Sequence, residues 1–261
     1  MALQPALLYE QEEDFVYDKM SNKVDILVFA AHPDDAELAC SGTILKHIAL
    51  GRTVAIVDLT KGELGTRGTA EIRAQESAAS TKILGIKARA NAGFEDGFFE
   101  SDKAHCLELI QYIRFYQPEI VLCNAISDRH PDHGKASELA SRACFLSGLI
   151  KIETIWESVA QQAWRPKNIY HYIQDRAVQP DFVVDISAHW NKKMESILAF
   201  RSQFYDSSTN TNEPQTMISG KSFLQFLESR ARDFGRSIGV EYGEGFTKEK
   251  QVGVADLFDL L

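Results

Sequence analysis

An alternation of short apolar runs with helical patterns is the feature that most constrains the fold of this chain. The apolar runs are typical of buried strands, because branched and other apolar residues follow one another with few polar interruptions. These runs cover residues 24–30, 53–59, 88–92 and 119–124. Helical patterns follow them at residues 36–50, 70–84, 102–116 and 134–146. The alternation predicts an α/β fold, Rossmann-like and doubly wound, with a mostly parallel sheet.

Two polar clusters follow the first and the fourth of these strands. The first has the sequence His-Pro-Asp-Asp at residues 32–35, and the second has Asp-Arg-His-Pro-Asp-His at residues 128–133. In the usual strand order 3-2-1-4, strands one and four are neighbours, and ligands bind in the crevice at their carboxyl ends. We therefore expect the two clusters to lie side by side, although about 100 residues separate them along the chain.

The side chains of the two clusters are those that bind borderline metals such as zinc. Imidazole nitrogens and carboxylate oxygens are its ligands, and a catalytic zinc takes three from the protein and keeps one position open. Adjacent carboxylates point in different directions, so one of Asp34 and Asp35 can bind the metal while the other faces the substrate. A solvated turn whose aspartates begin a helix is the alternative. The repetition of the pattern favours one shared metal site.

Composition excludes several classes of protein. The formal net charge is −9, which argues against nucleic acid, because its binding depends on basic surface. No apolar run reaches the length of a membrane span, and the amino terminus lacks the pattern of a signal peptide. The four cysteines lie within helical or strand patterns without metal-type spacing, so we expect reduced thiols and a cytoplasmic protein.

The chain length, and a sequence without a linker that would mark a domain boundary, predict one domain over residues 20–261. Met20 resembles a natural start, so residues 1–19 are expected to be a flexible extension or an added segment. A loop at 61–69 with three glycines is either a mobile active-site loop or a plain connection. The second half predicts loops at 156–166 and 207–214, strands at 168–173 and 182–186, and helices at 188–204 and 222–235. We expect Phe223, Phe226, Leu227 and Phe234 to be core residues.

The two clusters together resemble the metal site of the LmbE-like, or PIG-L, N-deacetylases. The resemblance runs from about residue 24 to the carboxyl terminus and includes the stretches 62–76 and 238–246. It is strongest for the branch that deacetylates N-acetylglucosaminyl malate in bacillithiol biosynthesis. Many members carry Glu directly after the two aspartates, whereas here Ala36 comes before Glu37, so the role of Glu37 stays open.

The resemblance implies a role for each residue of the two clusters. Zinc would be held by His32, Asp35 and His133, with Fe²⁺ or Co²⁺ possible at the same ligands. Asp34 would be the general base as zinc-bound water attacks the acetyl carbonyl. Protonated His130 would stabilise the oxyanion and protonate the departing amine. Asp132 would orient a histidine or, equally, be a carboxylate at a helix amino terminus.

Residues that bind the amino-sugar substrate are predicted less directly. Arg73 is the candidate for the malate carboxylate because a guanidinium binds carboxylates through two parallel hydrogen bonds. A surface salt bridge between Arg73 and Glu71 or Glu76 is the alternative. Arg67 and Arg129 are reserve candidates, and Asp96 is a candidate acceptor for sugar hydroxyls.

Three other functions remain to be weighed against this hydrolase. The substrate could be another N-acetylglucosamine conjugate, or the amide of a bacillithiol conjugate. A metal-containing binding protein without turnover would carry the same ligands. Nucleotide binding is disfavoured because no Gly-x-Gly-x-x-Gly follows the first strand. The family resemblance also implies a homo-oligomer.

Overall fold

The computed structural model describes residues 22–205 and 214–260. The first half alternates as β1 (Ile26–Ala30), α1 (Asp35–Ala49), β2 (Val54–Thr60), α2 (Ala70–Leu84), β3 (Ala88–Phe94), α3 (Lys103–Tyr116), β4 (Ile120–Cys123) and α4 (Pro131–Leu146). The second half contains β5 (Ile155–Trp156), β6 (Val159–Ala160), β7 (Asn168–Tyr172), β8 (Phe182–Asp185), α5 (Trp190–Leu198), α6 (Lys221–Ser237) and β9 (Gly243–Lys248).

Seven of the strands form one sheet in the order β3-β2-β1-β4-β7-β9-β8. The first five strands of that order are parallel, and β9 runs antiparallel to both of its neighbours. The predicted order 3-2-1-4 and the mostly parallel α/β fold are confirmed. The carboxyl ends of β1 and β4 therefore lie next to each other at one edge of the sheet.

Both faces of the sheet are covered, which explains why its strands are continuous apolar runs. Alternate residues of β1 point to opposite faces, as they must in a pleated strand. Leu27 and Phe29 join the core that includes residues of α3 and α4, whereas Val28 joins the core that includes residues of α1. Thr69 and Asp102 cap the amino termini of α2 and α3 with their side chains.

Three parts of the second half differ from the sequence prediction. A single helix was expected at 188–204. Instead, a 3₁₀ turn at Ser187–His189 leads into α5, which ends at Leu198. Beyond it the chain makes turns, in which the amide and hydroxyl of Ser202 donate to the Glu76 carboxylate of α2. The loop expected at 156–166 includes the short β5-β6 pair. Strand β9 was missed because its sequence, Gly-Glu-Gly-Phe-Thr-Lys, lacks an apolar pattern.

Several expectations concern chain ends and loops. Segment 1–19 and almost all of the loop at 207–214 lie outside the described residues. All four cysteines are buried and free, as expected for reduced core residues. In the described part of the chain, no helix is both long enough and apolar enough to cross a membrane.

Candidate active site

The loop after β1 carries the first polar cluster in a strained turn. Asp34 has φ 114°, which a residue with a Cβ rarely adopts, and it directly precedes α1. Such a conformation costs on the order of 1–3 kcal/mol and is found most often at functional sites. The turn is closed by the amide of His32, which donates to Asp35 Oδ2 at 3.0 Å. The conformation of this turn directs the carboxylates of Asp34 and Asp35 toward different partners.

The second cluster begins α4. His130 is the residue before the helix, Pro131 is at its first position, and His133 follows one turn later. Proline at this position needs no amide partner and has the correct φ for a helix start. His133 is consequently directed from the first turn of α4 toward the loop after β1.

Asp35 lies between the two histidines that the sequence assigns to the metal. Its Oδ1 is 3.1 Å from His133 Nε2, and its Oδ2 is 3.5 Å from His32 Nδ1. The ring centroids of His32 and His133 are 5.6 Å apart. The predicted proximity of the two distant clusters is therefore found in the structure.

Each of the two histidines uses its other ring nitrogen for a carboxylate. His133 Nδ1 is 2.6 Å from Asp128 Oδ2. His32 Nε2 is 3.0 Å from Asp96 Oδ1 and 3.4 Å from Asp132 Oδ2. Histidines that bind metals almost always donate their second N–H to a carboxylate or carbonyl, which fixes the tautomer and the ring orientation.

Two amide side chains hold Asp35 in this position. Asn124 Nδ2 donates to Oδ2 at 3.0 Å, and Gln174 Nε2 donates to Oδ1 at 2.9 Å. Both residues follow parallel strands of the sheet, β4 and β7. Each oxygen of the carboxylate is thus also held by a neutral amide donor.

The geometry offers a further donor near the same point. Nitrogens of His32, His130 and His133 lie within 4.8 Å of one another, as do atoms of His32, Asp96 and Asp132. His130 stands edge-on to His32, with ring centroids 4.5 Å apart. His130 is therefore near enough either to join the ligands or to contact a molecule bound beside them.

Charge at the site is unbalanced toward the negative. Burial lowers the pKa of His133, but Asp35 and Asp128 outweigh this and raise the pKa to about 9. For His32, burial lowers the pKa while Asp132, Asp35 and Asp96 raise it, and the net shift is well upward. The imidazoles thus attract protons where they are surrounded by carboxylates. A divalent cation bound here would compensate the excess negative charge in the same way. The nitrogen and oxygen ligands that the site offers suit zinc.

Asp34 is paired with Arg73 rather than with the histidines. Arg73 Nη1 donates to Asp34 Oδ2 at 2.8 Å, and both side chains are buried. Burial raises the pKa of Asp34, while Arg73 opposes the increase, and the pKa is about 6. The alternative expected from sequence, a surface salt bridge from Arg73 to Glu71 or Glu76, is replaced by this buried pair.

A cavity of about 310 Å³ opens beside these groups. Its polar side is formed by the two clusters, the glycine loop and Arg73. Its apolar wall contains Ile218, Phe223, Phe226 and Leu227 from α6 and the segment before it. Leu227 is buried as expected, but Phe226 is 38% exposed, so the expectation that Phe226 is core was wrong. The Phe226 side chain lines the cavity instead.

The remaining candidate substrate residues occupy different positions. Asp96 lines the cavity, but its oxygens are engaged by His32 and by the amide of Leu64 at 3.0 Å. Arg129 also lines the cavity and forms an exposed pair with Asp175 at 3.3 Å. Arg67 is buried outside the cavity lining.

Glu37, whose role the sequence left open, is fully buried away from the cavity. It receives hydrogen bonds from Arg89 Nη1 and Ser80 Oγ, each at 2.6 Å. Arg89 also binds Asp58 through Nε and Nη2 at 2.7 and 2.9 Å. Glu37 therefore belongs to an ion-pair network beneath the first turn of α1.

Sequence reasoning missed four residues of the site: Asn124, Asp128, Gln174 and Arg230. Asp128 lay inside the second cluster without a role. Asn124 and Gln174 stand at the carboxyl ends of parallel strands, so the strand rule that found the histidines could have found them as well. Arg230 projects from an amphipathic helix with no motif around it.

Comparisons with known proteins agree with the fold and identify the family. The family model described as PIG-L: GlcNAc-PI de-N-acetylase matches residues 27–144. The crystal structure of the conserved protein TT1542 from Thermus thermophilus is 35% identical, with a TM-score of 0.78, over 90% of this chain and 98% of that one. This chain belongs to the PIG-L, or LmbE-like, family of N-deacetylases.

The curated relatives that resemble this chain have names that describe diverse activities. Diacetylchitobiose deacetylase of Thermococcus kodakarensis is 28% identical over 89% of this chain and 86% of its own length. 4-Oxalmesaconate hydratase of Pseudomonas putida is 27% identical over 68% of this chain and 73% of its own length. A probable N-acetyl-α-D-glucosaminyl L-malate deacetylase of Bacillus anthracis is 29% identical over 48% of this chain and 61% of its own length.

Proposed function

We propose that this protein is a metal-dependent N-deacetylase that removes the acetyl group from N-acetylglucosaminyl malate. The observation that carries the proposal is the position of Asp35 between His32 and His133, each of which has its other nitrogen on a carboxylate. A carboxylate that is not a ligand, Asp34, lines the same cavity. Together these features are those of a hydrolytic metal site with a nearby base.

His32, Asp35 and His133 are the proposed metal ligands. Their two imidazoles and one carboxylate suit Zn²⁺, and Fe²⁺ or Co²⁺ would accept the same donors. When bound, such a cation supplies Lewis acidity, which lowers the pKa of water and polarises a carbonyl oxygen. The second carboxylates at Asp128, Asp96 and Asp132 keep each imidazole in the required tautomer.

Asp34 is the proposed general base. Arg73 holds one of its oxygens, which directs the carboxylate and leaves its other oxygen available to accept a proton from water. A base with a pKa near the working pH is the most effective, and burial raises the pKa of Asp34 to about 6. The proton that Asp34 accepts from water is the one that the departing amine requires.

His130 is the proposed donor to the oxyanion. Burial and the neighbouring His32 and His133 lower its pKa, so its neutral form is favoured near neutral pH. The amide of Asp132 donates to His130 Nδ1 at 3.3 Å, which leaves the ring proton on Nε2. We therefore replace the protonated His130 expected from sequence with a neutral imidazole whose Nε2–H donates a hydrogen bond. Asp34, rather than His130, then returns the proton to the amine.

The decisive experiment measures acetate release from N-acetylglucosaminyl malate together with metal content. We expect activity that is lost on chelation and restored by Zn²⁺, Fe²⁺ or Co²⁺. Asp34→Asn should keep its metal and lose about 10²- to 10⁴-fold in rate, whereas Asp35→Asn should lose the metal itself. Asp256→Asn, at an exposed position far along the chain, is the matched control. Metal-independent acetate release, or full activity in Asp34→Asn, would contradict the proposal.

Substrate choice is tested separately by comparing three compounds. These are the malate conjugate, N-acetylglucosamine conjugates without malate, and the amide of a bacillithiol conjugate. Preference for the first supports the proposed substrate. Equal or greater turnover of either of the others would assign this protein to another N-acetylglucosamine conjugate or to amidase activity.

A further inference from the structure

A second cleft of about 680 Å³ adjoins the active-site cavity. It lies between the segment 173–180 and α6, and it shares Asp175, Phe226 and Arg230 with the lining of the cavity. A molecule whose amino sugar fills the cavity can therefore extend past these shared residues into the cleft. The junction of the two spaces is where the part of the substrate attached to the sugar would pass.

Arg230 is a cation without a carboxylate partner among the described residues. Its Nη2 donates to the carbonyl of Leu38 at 3.2 Å, and its guanidinium lies 5.3 Å from the centre of the Phe226 ring. The nearby acids Glu244, Asp175 and Asp128 act on it only from beyond ion-pair distance. Burial lowers the pKa of Arg230 to about 10. Placing a cation in such surroundings is unfavourable unless an anion compensates it.

The other arginines that line the cavity are already in ion pairs. Arg73 is bound to Asp34 and Arg129 to Asp175. Two further arginines, Arg176 and Arg236, line only the cleft; both are exposed, and Arg176 donates to the hydroxyl of Ser127 at 3.1 Å. An acidic protein that binds an anion must concentrate positive charge locally. In the described part of the chain, Arg230 is half-buried and is the guanidinium that the cavity and the cleft share, with donors still to offer.

We propose that Arg230 is a specificity-determining residue, which binds a carboxylate on the group attached to the amino sugar as that group enters the second cleft. This inference rests on the proposed function for the identity of the sugar. A guanidinium can hold a carboxylate through two parallel N–H donors. Arg230 thereby takes the role that sequence gave to Arg73, whose Nη1 is bound to the proposed general base, Asp34.

The test compares the Arg230→Gln variant with the wild type, both loaded with metal, on two substrates. N-acetylglucosaminyl malate carries carboxylates, whereas methyl N-acetylglucosaminide is neutral. We expect kcat/KM for the malate conjugate to fall about 10- to 100-fold, mainly through KM, because a charge-assisted hydrogen bond is lost. The neutral glycoside should change less than about twofold. Arg230→Lys should recover part of the loss, since it restores the charge without the two-pronged geometry.

A binding measurement separates this inference from the proposed function. Calorimetry with the deacetylated product, glucosaminyl malate, needs no turnover, and methyl glucosaminide is its neutral counterpart. The wild type should bind the malate compound more tightly, and Arg230→Gln should remove that preference. If acetate release fails but this preference and its loss are found, the proposed function fails and the role of Arg230 stands.

Two results would overturn the inference. One is equal binding of the malate and neutral compounds by the wild type. The other is an equal fall in both reactions for Arg230→Gln, which would mean that the residue only supports packing through Leu38. Arg232→Gln is the matched control, since Arg232 lies on the same helix, is half exposed and lies outside both spaces. Thermal unfolding of each variant shows whether the fold is retained.

Discussion

Replacing Arg89 by methionine should strongly destabilise the protein, in a manner that depends on pH. Arg89 is the shared partner of Glu37 and Asp58, and all three side chains are at most 2% exposed. Methionine fills a similar volume without charge, so the substitution leaves two buried carboxylates without a cation. Removing one member of a buried ion pair typically costs about 3–5 kcal/mol.

The sign of the pH dependence follows from the protons that the folded state must take up. Burial already raises the pKa of Asp58, and Arg89 opposes that increase in the wild type. Without Arg89, the folded variant holds more protons than its unfolded chain above about pH 4. Its unfolding free energy should then fall by about 1.4 kcal/mol per pH unit for each extra proton held. The deficit relative to the wild type is therefore larger at about pH 8 than at about pH 5.5.

The assay is denaturant unfolding at these two pH values, supported by thermal unfolding. For a chain of this size, about 3–5 kcal/mol corresponds to a decrease in Tm of roughly 6–20 °C. Arg52→Met is the control, because Arg52 forms an exposed pair with Asp25 at 3.4 Å. Such pairs contribute about 0–1 kcal/mol. Adding Glu37→Gln and Asp58→Asn to Arg89→Met should recover stability by removing the uncompensated charges.

A loss below about 1 kcal/mol, or one that does not change with pH, would refute this reasoning. The first result would mean that water or another donor compensates Glu37 and Asp58 once the guanidinium is gone. The second would mean that packing rather than charge explains the effect. In either case, Glu37 could not be regarded as part of an electrostatic support for the turn that carries Asp34 and Asp35.

Three further predictions concern the active site. Arg73→Met should lower kcat on malate-bearing and malate-free sugars alike, because Arg73 holds Asp34. Steady-state assays on both sugars check this. A loss of activity restricted to the malate conjugate would instead support Arg73 as a malate ligand. Gln174→Leu should weaken metal binding about 10- to 100-fold in chelator competition, because it frees the aspartate between the histidines. Gly62→Ala should lower kcat more than Gly51→Ala. Both glycines have positive φ, but a Cβ at Gly62 would lie 2.9 Å from Arg73 Nη2, whereas one at Gly51 meets nothing within 4 Å.

The meeting of the two histidines could be predicted because their position follows a rule of the fold. Polar residues that directly follow parallel strands meet at one edge of the sheet, so His32 and His133 could be brought together from sequence alone. The tautomers of these histidines could not be predicted. They depend on Asp96 and Asp128, whose side chains meet the rings only after the loops have folded.

The apolar wall of the cavity was less accessible to sequence analysis. Helical periodicity correctly indicated that α6 has an apolar stripe, but it could not say whether a core or a cavity faces that stripe. Phe226 consequently appeared to be a core residue although it borders two open spaces. An arginine on such a helix normally belongs to the solvated face, so Arg230 gave no signal of its own.

Helix α1 connects these two sides of the site. Asp35 begins the helix, and one turn later the carbonyl of Leu38 accepts hydrogen bonds from Lys193 and Arg230. Lys193 is in turn paired with Glu244 at 2.7 Å, and both side chains are buried. The distance between the proposed ligand Asp35 and Arg230 is therefore fixed through one turn of backbone. The same turn is held by residues beyond 144, where the match to the family model ends. We therefore expect changes in this distal part of the chain to alter the group that reaches Arg230 while the geometry at Asp35 is kept.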